Sequence, residues 1–550
     1  MNMVDRSVMR MNGRVIPWTD IGALISDKAR RHGDSFFAEV DGTPITYAEL
    51  DRRSKAVAAG LKALGVGKGD RVATFMFNCI EQLVTMFATT RSGVVFTPIN
   101  AGLVGDDLVH TLVDSGTRVL IIDDFNLSKL DNLPADVRAR LTVFLVGDAE
   151  PSEEVKSFAE LEAVQADGDL PDLSPADPAV ILYTGGTTGR PKGVVLPHLS
   201  FVLAGIRYGE TFDANAGEVH FTTLPLFHAA AIQFAIFGPL VNGMTTYIDA
   251  RFSPSTFWQR VREVGANVID PIGSMLTLIE QQPPDELDRQ HRVRVMAGVT
   301  GAVPAHVTSR FIERFGVPMV SIYGLTEAGG AMITSDRVAD PMPGSNGRAH
   351  GWAEIMIADE DDMPLQVGET GRILLRPTFP NMFMSHYHGD PVKTIATFGN
   401  FWLHTGDIGR IDSMGNLYFS GRESHWIRRR GENISAYEIE EILAKMDGIA
   451  EAVVIPVQSE LGEDDIKTFI IPQAGSMLAP ESIVAWCVER MAAFKVPRFI
   501  EFVEDFPRSV TKREIERGVL RKMPNTNAWD REAAMGRLSS QSKLGGRSAG

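Results

Sequence analysis

The chain has 550 residues, 44% hydrophobic and 23% charged, with a formal net charge of −16. That length exceeds one ordinary core and predicts at least two domains. The acidic balance disfavours a nucleic-acid partner, because a phosphate backbone needs a basic face. Cys79 and Cys487 are the only cysteines, so no disulfide framework forms and a reducing compartment is expected. The opening stretch has no apolar run of signal-peptide length, and no later stretch nears the ~18 apolar residues of a membrane helix. A cytoplasmic protein with no transmembrane segment is the expectation.

Thr46-Tyr-Ala-Glu49 is a capping box, in which the threonine hydroxyl serves the first helical turn. Leu50, Val57, Leu61 and Leu64 follow at helical spacing, and Gly65 fits the stop. An apolar strand from Arg71 to Phe77, a helix near 80–90, a strand near 93–98, a helix from about Asp106 and a strand Val119–Ile122 come next. Alternating strands and helices predict parallel βαβ layers. Residues 123–178 carry Asp, Glu and Pro and read as surface excursions.

Ala179-Val-Ile-Leu-Tyr183 reads as a buried strand opening into Thr184-Gly-Gly-Thr-Thr-Gly-Arg-Pro-Lys-Gly193. Glycines let backbone N–H groups converge on an anion, threonine hydroxyls add donors, and Lys192 adds a mobile positive charge. The Walker pattern does not fit, because Gly193 stands where Ser or Thr must follow the lysine. In the C-terminal part, helices over 438–446 and 480–490 and strands over 452–457 and 466–471 compose a small α+β domain. Residues 526–550 are polar, with Gly and Ser near the end, and read as a disordered tail.

The stretch Tyr183–Gly193 resembles the signature YTSGTTGxPKG of the adenylate-forming superfamily, with Gly185 in place of serine. Further motifs follow in the family's order: Pro225-Leu-Phe-His228, Val295–Gly301, Tyr323-Gly-Leu-Thr-Glu327, Thr405-Gly-Asp407 and Arg422. The resemblance spans roughly residues 17–521 and leans to the crotonobetaine/carnitine-CoA ligase-like branch through Arg428-Arg-Arg-Gly-Glu-Asn-Ile-Ser435. It implies an α/β fold with a large N-terminal AMP-binding domain of several subdomains, 1–420, and a small mobile α+β domain, 421–525. The hinge falls near Ser424, and the tail occupies 526–550.

The resemblance implies an ATP-dependent acyl-CoA ligase that makes an acyl-adenylate and transfers the acyl group to CoA. Its partners would be ATP, Mg²⁺, CoA and a small carboxylic acid; the oligomeric state stays open, a homodimer among the options. The phosphate and nucleotide contacts would be Thr184, Gly185, Gly186, Thr187, Thr188, Gly189 and Lys192, with Gly301 and Ala302 lining the adenine and acyl sites. Tyr323, beside Gly324, would stack on adenine, and Thr326 would donate to the α-phosphate. Glu327 would bind Mg²⁺, which commonly keeps several waters and takes one or two carboxylates plus phosphates. Asp407 would accept from the ribose hydroxyls and Arg422 would contact ribose and phosphate. His228 would shape the acid site rather than abstract a proton, because a carboxylic acid is already ionised at neutral pH.

The activating lysine of the family's C-terminal motif falls on Lys512 or, in the ungapped register, on Arg513. Lys512 is preferred as the more compact charge. The three arginines from Arg428 read equally as a solvated basic patch or as a face toward the phosphates of CoA. Apolar residues around 201–208, 229–234 and 296–301 predict a hydrophobic acid. The competing readings are an enzyme that loads a carrier-protein thiol or oxidises its acyl group, and a nucleotide-binding regulator without the chemistry.

Overall fold

The computed structural model describes residues 9–165, 170–186, 189–271, 273–298, 305–335, 344–423, 426–429, 432–458, 464–508 and 515–534. Two compact units emerge: Met1–Met356 with Leu374–Thr405 and Asp412–Leu417, and Ile357–Ile373 with Gly406–Ile411 and Tyr418–Gly550. A single cut at 420/421 leaves out 357–373, 406–411 and 418–420, which belong with the second unit.

The first unit holds two eight-stranded sheets. In one, Arg71–Phe75, Val95–Ile99, Val119–Asp123, Thr142–Val146 and Val155–Ser157 run parallel. Pro178–Gly186 joins them beside Val95–Ile99, Gly189–Pro197 pairs antiparallel with it, and His386–Tyr387 adds the antiparallel edge strand. The other has a parallel core from Phe36–Val40 to Met319–Leu325, closed by the antiparallel strands Thr43–Thr46 and Gly330–Thr334. Parallel strands need helical crossovers, which cover the sheet faces, so these strands read as near-continuous apolar runs.

Local chemistry sets the helix ends. The Thr46 hydroxyl accepts from the Glu49 N–H at 3.1 Å, starting the helix Tyr47–Ala63, and Gly65 takes φ 74° just past its end. Fully buried Arg91, on the helix Ile80–Arg91, donates to Asp51 Oδ1 at 2.8 Å, Ser54 Oγ at 2.7 Å and Ser26 Oγ at 3.1 Å, tying three helices together.

Residues 123–178 are more than surface excursions. Thr142–Val146 and Val155–Ser157 extend the parallel sheet, and Val143, Leu145 and Val155 join its core. The run Leu141–Val146 carried that signal, and its charged flanks, Arg138-Ala-Arg140 and Asp148-Ala-Glu150, hid it.

In the second unit, Ile449–Gln458, Asp464–Pro472, Phe499–Phe502 and Trp529–Asp530 form a four-stranded sheet. The helices Ala436–Leu443 and Pro480–Val488 bury Ile439, Leu443, Ile483 and Cys487 in its core. The expected tail is corrected here: Ile500 pairs with Trp529 and Phe499 with Asp530, Arg498 bonds the Asp530 carboxylate at 3.1 Å, and Trp529 packs on the core. One aromatic residue and one cross-strand ion pair outweigh a polar average. Residues 535–550 lie outside the described residues.

Candidate active site

The glycine-rich stretch is a β-hairpin rather than a strand running out into a loop. Pro178–Gly186 pairs antiparallel with Gly189–Pro197, with Thr184 opposite Lys192, Gly186 opposite Gly189, and an irregularity between Thr184 and Gly186. Gly185 lies in the first strand; Thr187 and Thr188, at the tip, lie outside the described residues. A Cβ on Gly193 would stand 2.9 Å from Ile181 Cγ2 and 3.1 Å from Tyr183 Cζ, so the lysine is followed by glycine because the hairpin is packed there. The Tyr183 hydroxyl donates to Asp114 at 2.6 Å and anchors the base of the hairpin.

The edge strand beside this hairpin brings in a residue the sequence did not flag. Tyr387 pairs with Val194, its ring lies 5.7 Å from Lys192 Nζ, and its hydroxyl donates to Glu327 Oε1 at 2.8 Å. Burial and the Glu327 charge both raise the Tyr387 hydroxyl pKa, so it stays a proton donor. Lys192 and Glu327, 135 positions apart in sequence, thus meet around one aromatic ring.

Glu327 sits in the turn of a second hairpin. Met319–Leu325 carries Tyr323 and Gly324, Thr326–Ala328 forms a short 3₁₀ turn, and Gly330–Thr334 returns. Tyr323 is buried, whereas Thr326 and Glu327 are half-buried. Gly329 has φ 67°, and a Cβ there would fall 2.3 Å from the Met382 carbonyl, so only glycine closes this turn. Buried Arg207, from the helix His198–Phe212, donates to the Gly329 carbonyl at 3.0 Å. Burial pushes its pKa down to about 9.

The segment before His228 is held by Asn78, whose side-chain amide donates to the Leu224 carbonyl at 3.0 Å and accepts from the Leu226 N–H at 2.8 Å. The half-buried His228 ring lies 4.5 Å from that of Phe227. A π-helix, Ala231–Phe237, begins three residues later; such helices are rare and concentrate at functional sites.

In the second unit, buried Asp407 on the strand Leu403–Ile411 forms an ion pair with Arg422 at 2.9 Å, on the strand Leu417–Arg422. Gly301, Ala302, Lys512, Arg513 and Ser424 lie outside the described residues. Among the described residues no cluster of three or more His, Cys, Asp or Glu could hold a metal, and no helix is long and apolar enough to cross a membrane. The donor set present, one half-buried carboxylate already oriented by a hydroxyl, suits a magnesium ion that arrives with nucleotide phosphates.

The profile of the AMP-binding enzyme family matches residues 25–387, and that of the AMP-binding enzyme C-terminal domain matches 438–513. The chain belongs to the AMP-binding enzyme family. It is an AMP-forming acid–thiol ligase of this adenylate-forming group. A crotonobetaine/carnitine–CoA ligase of Salmonella arizonae is 33% identical over 509 residues, covering 91% of this chain and 98% of the relative. The enzyme of that name from Salmonella typhi is 31% identical over 510 residues, again covering 91% and 98%. Among solved structures, an anthranilate CoA ligase bound to anthranoyl-AMP superposes with TM-score 0.82 at 23% identity, covering 91% of this chain and 96% of that one. A benzoate CoA ligase from Burkholderia xenovorans superposes with TM-score 0.81 at 23% identity, covering 92% and 100%. The α/β fold expected from the motifs, with a larger N-terminal and a smaller C-terminal part, is the fold found.

Proposed function

We propose that this enzyme joins a largely apolar carboxylic acid to CoA, through an acyl-adenylate formed from ATP. The observation that carries the reading is the convergence of Lys192, Tyr387 and Glu327 beside the glycine-rich hairpin. An ammonium and an oriented carboxylate beside the glycine-rich hairpin answer the main difficulty of the reaction, the meeting of two anions.

The hairpin and Lys192 hold the ATP phosphates, and Thr326 donates to the α-phosphate. Tyr323 lies against adenine, while Asp407 and Arg422 take the ribose. Glu327, steered by Tyr387, would hold a magnesium ion, which would supply positive charge at the phosphates. The acid oxygen attacks the α-phosphorus and the bond to pyrophosphate breaks. His228 and the π-helix after it shape the acid site. The CoA sulfur then attacks the acyl carbon and AMP leaves with the bonding pair. Lys512 is assigned the charge that neutralises the acid and α-phosphate.

The test is AMP formation across a panel of carboxylic acids. Release that requires both an acid and CoA supports the ligase reading; carboxylate-dependent pyrophosphate exchange without CoA-dependent release indicates another acceptor. Glu327→Gln is expected to lower exchange about 10²–10³-fold while the fold persists. Unchanged turnover at saturating Mg²⁺ removes Glu327 from this role.

A further inference from the structure

Gln233 sits inside the π-helix, five residues after His228, and is 1% exposed. Both polar atoms of its carboxamide are buried, and among the described residues neither has a hydrogen-bond partner. That is costly, because a buried amide without a partner forfeits the bonds it had in water. Native proteins keep few such groups, and each calls for a reason.

Its position supplies one. The carboxamide fills the space where Gly330 lacks a side chain: a Cβ there would lie 1.6 Å from Oε1 and 2.9 Å from Nε2. Gly330, at φ 96°, is three residues past Glu327 and pairs with Leu325 across the same hairpin. The amide therefore packs between the His228 segment and the Glu327 turn, the two pieces that the ligase reading sets around the acid. Its neighbours in the π-helix, Ile232 and Phe234, are buried and apolar.

We infer that Gln233 determines acid specificity: its carboxamide turns from Gly330 to hydrogen-bond a neutral polar group, such as a hydroxyl or oxo group, on an otherwise apolar acid. This rests on the ligase reading. It also amends the expectation of a purely hydrophobic acid, because an apolar pocket needs no amide. A carboxamide offers one acceptor and two donors without charge. It suits a hydroxyl or carbonyl, and it does not neutralise a second carboxylate or a cation.

The experiment compares straight-chain acids with hydroxy and oxo acids of equal length, using wild type and Gln233→Met, in pyrophosphate exchange and in CoA-dependent AMP release. Wild type is expected to favour at least one hydroxy or oxo acid over its alkyl counterpart. Gln233→Met is expected to lower the ratio of kcat/KM for that acid to kcat/KM for its alkyl counterpart about 10–100-fold. Thermal unfolding is the second readout. Replacing an unpartnered buried amide by an apolar side chain of similar shape should hold or raise the midpoint, whereas a structural amide would lower it. Equal loss on both acids, no preference in wild type, or a lowered midpoint overturns the inference. If no acid supports CoA-dependent AMP release, the ligase reading fails instead; acid-dependent pyrophosphate exchange and the unfolding midpoint still decide on Gln233.

Discussion

Tyr387→Phe is the sharpest probe of how the site is built. It keeps the ring, its place beside Lys192 and the β pairing with Val194, and deletes only the hydroxyl that donates to Glu327 at 2.8 Å. A hydrogen bond to an ionised acceptor contributes about 1.5–3 kcal/mol. Glu327 is half-buried, so water partly replaces the lost donor, and about 1–2 kcal/mol is the better figure. If the bond fixes the carboxylate for catalysis, that loss slows pyrophosphate exchange about 5–30-fold. The Mg²⁺ concentration for half-maximal rate should rise. Calorimetry should show ATP binding weakened in the presence of Mg²⁺ and unaltered in its absence. The melting temperature should hardly move. Wild-type exchange kinetics with a wild-type magnesium response would refute the reasoning, as would equal weakening of ATP binding with and without the metal.

Two further outcomes follow from the fold. Ending the chain after Pro524 should destabilise the second unit by about 2–4 kcal/mol, because it removes the Trp529–Asp530 strand, a Trp on the core and the Arg498–Asp530 pair. Faster amide exchange in Phe499–Phe502 measures it, and unchanged protection would mean that the added strand contributes nothing. Burial lowers the His198 pKa from 6.5 to about 4, so the folded protein keeps it neutral where the unfolded chain takes a proton. Its contribution is complete above pH 6.5 and fades as pH falls toward 4, a loss of about 3 kcal/mol. Since Nδ1 accepts from the Ile21 N–H, His198→Asn should retain an acceptor and flatten stability over that range in denaturant titrations; an unflattened profile would contradict this.

The fold was legible wherever one chain segment carried its own signal. The helix Tyr47–Ala63 needed only a threonine cap, a leucine spacing and a glycine stop. Apolar runs such as Val119–Asp123 could be little else than buried strands. Reading failed where the partner decided the outcome. Trp529–Asp530 is a strand because Phe499 and Ile500 offer it an edge and Arg498 a charge, none of which a window over 526–550 contains. Gly193 looked like a failed Walker threonine, yet its reason is the Tyr183 ring across the hairpin.

The candidate site divides in the same way. Residues that meet the nucleotide in the proposed reaction form compact motifs, since backbone and side chain must approach one ligand together; hence Glu327, Asp407 and Lys192 could be proposed from short strings. Residues that orient them need no fixed neighbours in sequence. Tyr387 reaches Glu327 from 60 residues away, Arg207 reaches Gly329 from 122, and Asn78 reaches Leu224 from 146. Gln233 is harder still, because its signal is a missing contact. In the sequence it is one glutamine in an apolar helix, where a solvated face is the ordinary explanation. What marks it out in the structure is the burial of its amide against Gly330 with no partner among the described residues, and the acid is the partner inferred for it.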